Sequence, residues 1–407
     1  MILYKEKKDC CGCGTCALSC PTQAIKMEKD DDGFVYPHII TEKCISCGLC
    51  NKVCDYQNKK ENNEPINVYA MARKDKQLIL KSASGGIFAG IAEKWLEEGH
   101  VVGAALVNEN EKLIPCHVIA RNKDELDPIL GSKYVQSNLG NIFKDIKDLL
   151  CSGEKILFSG TPCQVAELKA YLKKEYVNLF TIDIVCHGVP SSKMFQDYIE
   201  ILSEKISSPV KEFTFRDKNM GWGLNARAYY DDGHKEKSFL LRSFESSFYE
   251  LFLNGDIYRE NCYNCPYSNT HHPSDITLGD FWGIEKEHKE FILPYGHLDP
   301  ISGISMVMVN TDKGEKLIKK CKEEFWIYES SIEKASKYNE QLKHPSIKGD
   351  NREYIFSLYR KKGYAAVDKW YIRSKKKQNK IEWLKYHVHN DIPEPIRKVI
   401  KKIVKKG

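Results

Sequence analysis

The sequence predicts a small α+β module at the N-terminus, followed by a mixed α/β domain with a βαβ unit and C-terminal helices. Two observations lead to this. A cysteine-rich run occurs twice within the first 54 residues, and a regular strand–helix alternation follows a polar stretch after it. The chain has 407 residues, 42% hydrophobic and 29% charged, enough to bury a core without staples and unlike a disordered polymer. No apolar run approaches the roughly 20 residues of a membrane-spanning helix. The charged opening Met1–Asp9 has no apolar segment of the kind a secretory signal needs, so a cytoplasmic protein is expected. The net charge of +6 is unevenly placed: residues 371–407 carry 12 Lys and Arg against 3 Asp and Glu. That is a basic tail and not a basic body, and no nucleic-acid partner is expected.

The N-terminal module is defined by its thiols. Cys10, Cys13, Cys16 and Cys20 are spaced by two, two and three residues, and Pro21 follows. Cys44, Cys47, Cys50 and Cys54 repeat the spacing 34 residues later. Disulfides fit poorly, because the gaps are short and nothing points to an oxidising compartment. Structural zinc usually separates two Cys-x-x-Cys knuckles by roughly 12 to 20 residues, whereas here four cysteines fall within eleven positions. The run resembles that of bacterial two-cluster ferredoxins, which implies a ferredoxin-like module holding two 4Fe–4S clusters. The resemblance also implies crossed ligand sets, Cys10, Cys13 and Cys16 with Cys54, and Cys44, Cys47 and Cys50 with Cys20. In that pattern the fourth cysteine is expected to open a short helix leading away. Gly12, Gly14 and Gly48 allow the tight turns. Asp55 departs from the pattern, standing where a second proline is usual, and Cys11 is a spare thiol.

Further along, Ala24–Met27 and Phe34–Ile40 read as short strands inside this module (residues 1–55), and residues 56–66 as a linker. A first region of the larger part, 67–150, opens with a strand at Val68–Ala72. Ser84 can cap a helix whose apolar positions run from Ile87 to Leu96, with Gly99 as its stop. Val101–Val107 and Lys112–Ala120 form a hairpin, and Leu139–Leu150 a helix. In the second region, 151–325, strand Lys155–Ser159, helix Cys163–Lys174 and strand Asn178–Val185 make the βαβ unit. A helix at Ser191–Lys205 and strands at Lys211–Phe215, Ala226–Tyr230, Ile276–Gly279 and Ile304–Asn310 follow. Residues 326–407 are expected to form a helical basic tail.

The βαβ unit carries a second group of thiols. Cys163 follows its first strand and Cys186 its second, at the carboxyl edge where open α/β sheets place ligands. Cys262 and Cys265 add a Cys-x-x-Cys pair. Four thiolates suffice for a third 4Fe–4S cluster. The spacing equally allows buried free cysteines, a redox-active pair or zinc. Cys116, Cys151 and Cys321 are isolated and read as packing residues.

Five segments in order are specific: Ser82–Phe88, Lys133–Ser137, Leu157–Gln164, Asp183–Gly188 and Asp275–Trp282. Over residues 1 to 310 the chain resembles the beta subunit family of coenzyme F420 hydrogenase/dehydrogenase. The resemblance implies an FAD, a further 4Fe–4S cluster beside it at Cys163, Cys186, Cys262 and Cys265, and hydride exchange with a deazaflavin or another small-molecule substrate. A flavin suits that arrangement, since clusters pass single electrons and organic reductions need a hydride. Ser84, Gly85 and Gly86, at a helix start, are candidates to hold the flavin diphosphate, though an ordinary cap with two permissive glycines has the same sequence. Tyr134, Ser137, Thr161 and Gln164 are further flavin-contact candidates. His187, beside Cys186, is a candidate proton donor, or a histidine that only bonds within its loop. Two loose matches to the dinucleotide fingerprint, at Gly12 and Gly221, lack the strand–turn–helix context it requires.

In the tail, Ile396, Val399, Ile400, Ile403 and Val404 fall on one helical face, and Arg397, Lys398, Lys401, Lys402, Lys405 and Lys406 on the other. Such a helix can contact an anionic membrane or an acidic protein, or dock on its own domain. The whole reads as an iron–sulfur flavoprotein oxidoreductase served by a ferredoxin-like electron donor or acceptor in an anaerobic setting. A non-catalytic electron-transfer subunit and a zinc scaffold are the alternatives.

Overall fold

The computed structural model of the chain describes residues 3–58 and 61–390. The N-terminal module is an antiparallel hairpin, β1 (Ile25–Lys29) and β2 (Val35–Ile39), with two short helices, Thr15–Leu18 and Leu49–Val53. The helices correct one expectation. They carry the third cysteine of each run, Cys16 and Cys50, and end before the fourth, so Cys20 and Cys54 open no helix. Each starts from a left-handed glycine, Gly14 or Gly48, which turns the cysteine loop back on itself.

The strands that follow are β3 (Asn67–Arg73), β4 (His100–Glu109), β5 (Lys112–Ala120), β6 (Ile156–Ser159), β7 (Leu179–Ile184) and β8 (Val210–Thr214). After them come β9 (Asn225–Asp231), β10 (Glu236–Arg242), β11 (Ile276–Asp280), β12 (Ser305–Val309) and β13 (Phe325–Ser330). Eight of these form one sheet in the order β13-β3-β12-β11-β7-β6-β4-β5, and β10-β9-β8 form a separate antiparallel sheet. In the large sheet β4, β6, β7 and β11 are parallel, and antiparallel strands flank them.

Strands covered on both faces read as continuous apolar runs, and β6 does so. Leu157 packs with the Ile87–Trp95 helix on one face. Ile156 and Phe158 pack with the helices Ile142–Cys151 and Pro162–Leu172 on the other. The βαβ unit is as expected: β6 and β7 are neighbours, in parallel register from Ile156↔Leu179 to Ser159↔Ile182. Their carboxyl ends, with Cys163 in the first turn of the Pro162–Leu172 helix and Cys186 in the loop after β7, therefore lie at the same edge.

Several elements differ from expectation, among them the unforeseen helices Lys76–Leu80 and Asp312–Lys320. β10 and the helix Ser247–Leu253 were not foreseen; β10 alternates too weakly to stand out, with most of its residues exposed or half-buried. The stretch from 326, expected as helical, instead begins in β13. Its run of Phe325, Trp326, Ile327 and Tyr328 suits a pleated strand, and it pairs with β3 at the sheet edge. Helices Arg352–Lys362 and Tyr364–Asn390 follow. The start of the 56–66 segment is docked, with Tyr56 buried 6.3 Å from the Tyr267 ring. The amphipathic segment Ile396–Val404 lies outside the described residues. Among the described residues no helix is long and apolar enough to cross a membrane.

Candidate functional site

The thiols gather in three groups. Cys20, Cys44, Cys47 and Cys50 line one small pocket, with Cys47 exposed. Burial alone would raise the Cys20 thiol. The Ala24 N–H at 3.2 Å and the Thr22 hydroxyl outweigh it, so its pKa is lowered and the thiolate favoured. Cys10, Cys13, Cys16 and Cys54 form the second group. Burial raises the Cys16 and Cys54 thiols, and repulsion from Cys10 and Cys13 raises both further.

Cys163, Cys186, Cys262 and Cys265 are the third group. Burial, then neighbouring thiols, raises Cys262 to about 12 and Cys265 to about 11, and pushes Cys186 well up. Three of these four thiols resist ionising, which makes a poor bare cluster and a good metal site, because a bound cation reverses that balance. The spare Cys11 links the second and third groups. Its hydrogen bonds join Cys13 and Cys163, and the one to Cys163 lowers the latter's pKa.

The third group lines a cleft of about 310 Å3 at the carboxyl edge of the sheet. Ser84, Gly86, Tyr134, Ser137, Thr161, Gln164 and His187 line the same cleft. Gly85 lies just behind the wall, where its N–H donates to Ser305 Oγ at 3.0 Å. The expected Ser84 cap is a correction. The Ser84 hydroxyl donates to the Ile304 carbonyl, and the helix begins two residues later, at Ile87, from a left-handed Gly86. No side chain caps this helix, so its first N–H groups face the cleft wall without a side-chain acceptor.

The other wall is pre-bonded. Gln164 accepts from the Thr161 N–H at 2.9 Å and donates to Ser137 Oγ at 3.2 Å. Ser137 meets His117 Nδ1 at 2.9 Å, and His117 Nε2 lies 3.2 Å from the Ser159 carbonyl. Burial pushes this histidine down to about 4, so its ring is neutral. Tyr134 stacks on Phe252 with centroids 4.6 Å apart. His187 is held by its own carbonyl, which accepts the Ser346 hydroxyl, and burial lowers its pKa.

Sequence reasoning missed the charged residues here. Arg216 donates from Nη1 to Asp280 Oδ2 at 2.9 Å and to the Tyr134 hydroxyl at 3.0 Å. Arg259, wholly buried, donates from Nε to the Cys10 carbonyl at 3.0 Å and from Nη2 to the Val35 carbonyl at 2.9 Å. Lys218 donates to the carbonyls of Ile79, Ser84 and Ser302. Single charges outside any periodic pattern carry little sequence signal. The available clue was position, since Asp280 ends β11 at the ligand-bearing sheet edge.

Comparison with known proteins accords with this arrangement. A family described as 4Fe-4S dicluster domain matches residues 9–58. The N-terminal and C-terminal families of the coenzyme F420 hydrogenase/dehydrogenase beta subunit match residues 68–144 and 153–335. The coenzyme F420-dependent sulfite reductase of Methanocaldococcus jannaschii is 26% identical over 188 residues, 44% of this chain and 28% of that protein, so the chain spans well under half of that relative. A chain of the F420-reducing NiFe hydrogenase complex from Methanosarcina barkeri aligns over 78% of this chain and 92% of its own length, at 16% identity and a TM-score of 0.44. With a dicluster iron–sulfur domain in front and both family segments in order behind it, the chain belongs to the beta subunit family of coenzyme F420 hydrogenase/dehydrogenase.

Proposed function

We propose that the chain is an iron–sulfur flavoprotein oxidoreductase. It exchanges electrons with a ferredoxin-type partner at the N-terminal thiol groups, and hydride with a small substrate, a deazaflavin or another reducible carrier, at the cleft. One observation carries the reading: a single cleft is lined both by Cys163, Cys186, Cys262 and Cys265 and by six of the residues expected around a flavin, Ser84, Gly86, Tyr134, Ser137, Thr161 and Gln164.

Cys163, Cys186, Cys262 and Cys265 would hold a third 4Fe–4S cluster, and the donor set suits it. The uncapped N–H groups after Gly86 would bind the FAD diphosphate. When bound, a flavin supplies the conversion between single electrons and a hydride. The chain's own residues do the rest. The Thr161–Gln164–Ser137–His117 chain fixes one wall. Tyr134 and Phe252 give a flat apolar surface, and His187, which lines the cleft, would move a proton there.

Purification without oxygen tests this. About twelve iron atoms per chain and one flavin are expected. Cys262→Ser should lose about four irons and leave the N-terminal eight in place. Zinc without iron would overturn the reading. Iron without flavin would leave an electron-transfer subunit instead of an enzyme.

A further inference from the structure

Arg216 uses only part of its guanidinium. Nη1 is spent on Asp280 and Tyr134, while Nε and Nη2 have no partner. The side chain is 4% exposed. Nε and Nη2 form the side-on pair of an arginine fork, the edge that meets the two oxygens of a carboxylate or phosphate group. Leaving two charged donors unpaired in a buried place is costly, so their retention points to a ligand.

The surroundings agree. Trp222 lies over the guanidinium at 5.4 Å from ring centroid to Cζ, and its own Nε1 is also buried without a partner. Trp222 packs on Trp282, centroids 4.7 Å apart, and Trp282 and Arg216 both line the cleft. The place therefore offers three unused donors. Asp280 is the carboxylate beside them, and Arg216 Nη1 occupies its Oδ2. Trp222 belongs to the bend between β8 and β9, where its backbone N–H donates to the Ile301 carbonyl at 2.7 Å.

We propose that the Nε–Nη2 edge of Arg216, with Trp222 Nε1, binds an anionic carboxylate or phosphate group of the small-molecule substrate and so selects acidic substrates. This rests on the cleft being the substrate site proposed above.

The test uses the full chain with its cofactors, prepared without oxygen. It is titrated with sodium phosphate and with sodium acetate while tryptophan fluorescence is followed. Acetamide and matched sodium chloride are the controls. A saturable change is expected with an oxyanion and none with acetamide; whichever of phosphate and acetate binds tighter identifies the group. Arg216→Lys keeps the charge but loses the fork, and should weaken binding by roughly tenfold or more. Should that variant fail to fold, Trp222→Phe, which removes only the indole donor, should weaken binding roughly threefold, read by calorimetry. Unchanged affinity in the folded variants, or no saturable change in the parent, overturns the proposal. So does release of flavin in step with phosphate binding, which would assign the arginine to the cofactor. Flavin present with no anion response defeats this proposal alone. An Arg216-dependent response in a preparation that never holds flavin defeats the function reading alone.

Discussion

Arg259 shows how much one residue can hold without leaving a trace in sequence periodicity. It lies against the Tyr36 ring at 4.0 Å, bonds two carbonyls of the N-terminal module, and faces Cys10. Gly12 is required beneath it, because a Cβ there would come within 2.8 Å of the guanidinium. Arg259→Met should cost roughly 3 kcal/mol, since it strands buried carbonyls. It should also lower the reduction midpoint of the adjacent cluster by removing a nearby positive charge, as redox titration would show; an unchanged midpoint would leave Arg259 a purely structural tie. His117 gives a pH signature. Its pKa falls from the ordinary 6.5 to about 4 because burial disfavours the charged ring. The folded chain therefore binds this proton less readily than the unfolded one. The group's contribution is intact above pH 6.5 and is lost as pH falls toward 4, by roughly 3 kcal/mol. Unfolding curves of the parent and His117→Asn should converge across that window, and parallel curves would show that the Ser137 and Ser159 bonds already compensate the charge.

At the scale of elements, the start of the Ile87–Trp95 helix separates what sequence conveys from what it does not. Ser84 has the composition of a cap, but its hydroxyl ties the turn to the Ile304 carbonyl before β12. A partner 220 residues away outcompetes the local role, and no local rule foretells that. The Pro162–Leu172 helix is the opposite case. Pro162 at its first position and Gln164 reaching back to Thr161 are local signals, and the helix begins at Pro162, one residue before the expected Cys163. Gly85 tests the first of these turns. A Cβ there would lie 2.5 Å from the Met71 carbonyl and 2.9 Å from the Ser305 N, both backbone atoms that cannot swing away. Gly85→Ala should destabilise the chain by roughly 1–3 kcal/mol and displace the uncapped helix start. Flavin absorbance should fall while iron content holds. Loss of both together would mean that the turn supports the whole fold and not the flavin site.

At the scale of the molecule, the repeated cysteine runs and the βαβ unit were legible because their signals are short-range spacings. The antiparallel half of the sheet was not. β12, β3 and β13 pair across 230 residues or more of sequence, and strand composition says nothing about which strand lies beside which. The joint between module and domain was equally hidden, and Glu167 is its centre. This carboxylate is fully buried one turn after Cys163, and its Oε1 accepts the Tyr56 N–H at 3.0 Å. Tyr56 in turn reaches the Asn261 carbonyl, and Tyr267 donates to Asp55 at 3.1 Å, so the end of the N-terminal module at Asp55 and Tyr56 is sewn to the segment bearing Cys262 and Cys265. Burial raises the Glu167 pKa, with the Tyr56 N–H opposing it, so a neutral acceptor of the same shape should serve. Glu167→Gln is expected to stay within about 1 kcal/mol of the parent. Glu167→Ala leaves the Tyr56 N–H buried without an acceptor and should cost roughly 2–3 kcal/mol. Limited proteolysis without oxygen is the direct measure: cleavage within residues 56–66 should accelerate in the alanine variant and not in the glutamine one. Equal cleavage of all three chains would mean that Arg259 and the bridging Cys11 hold the two parts together without the carboxylate.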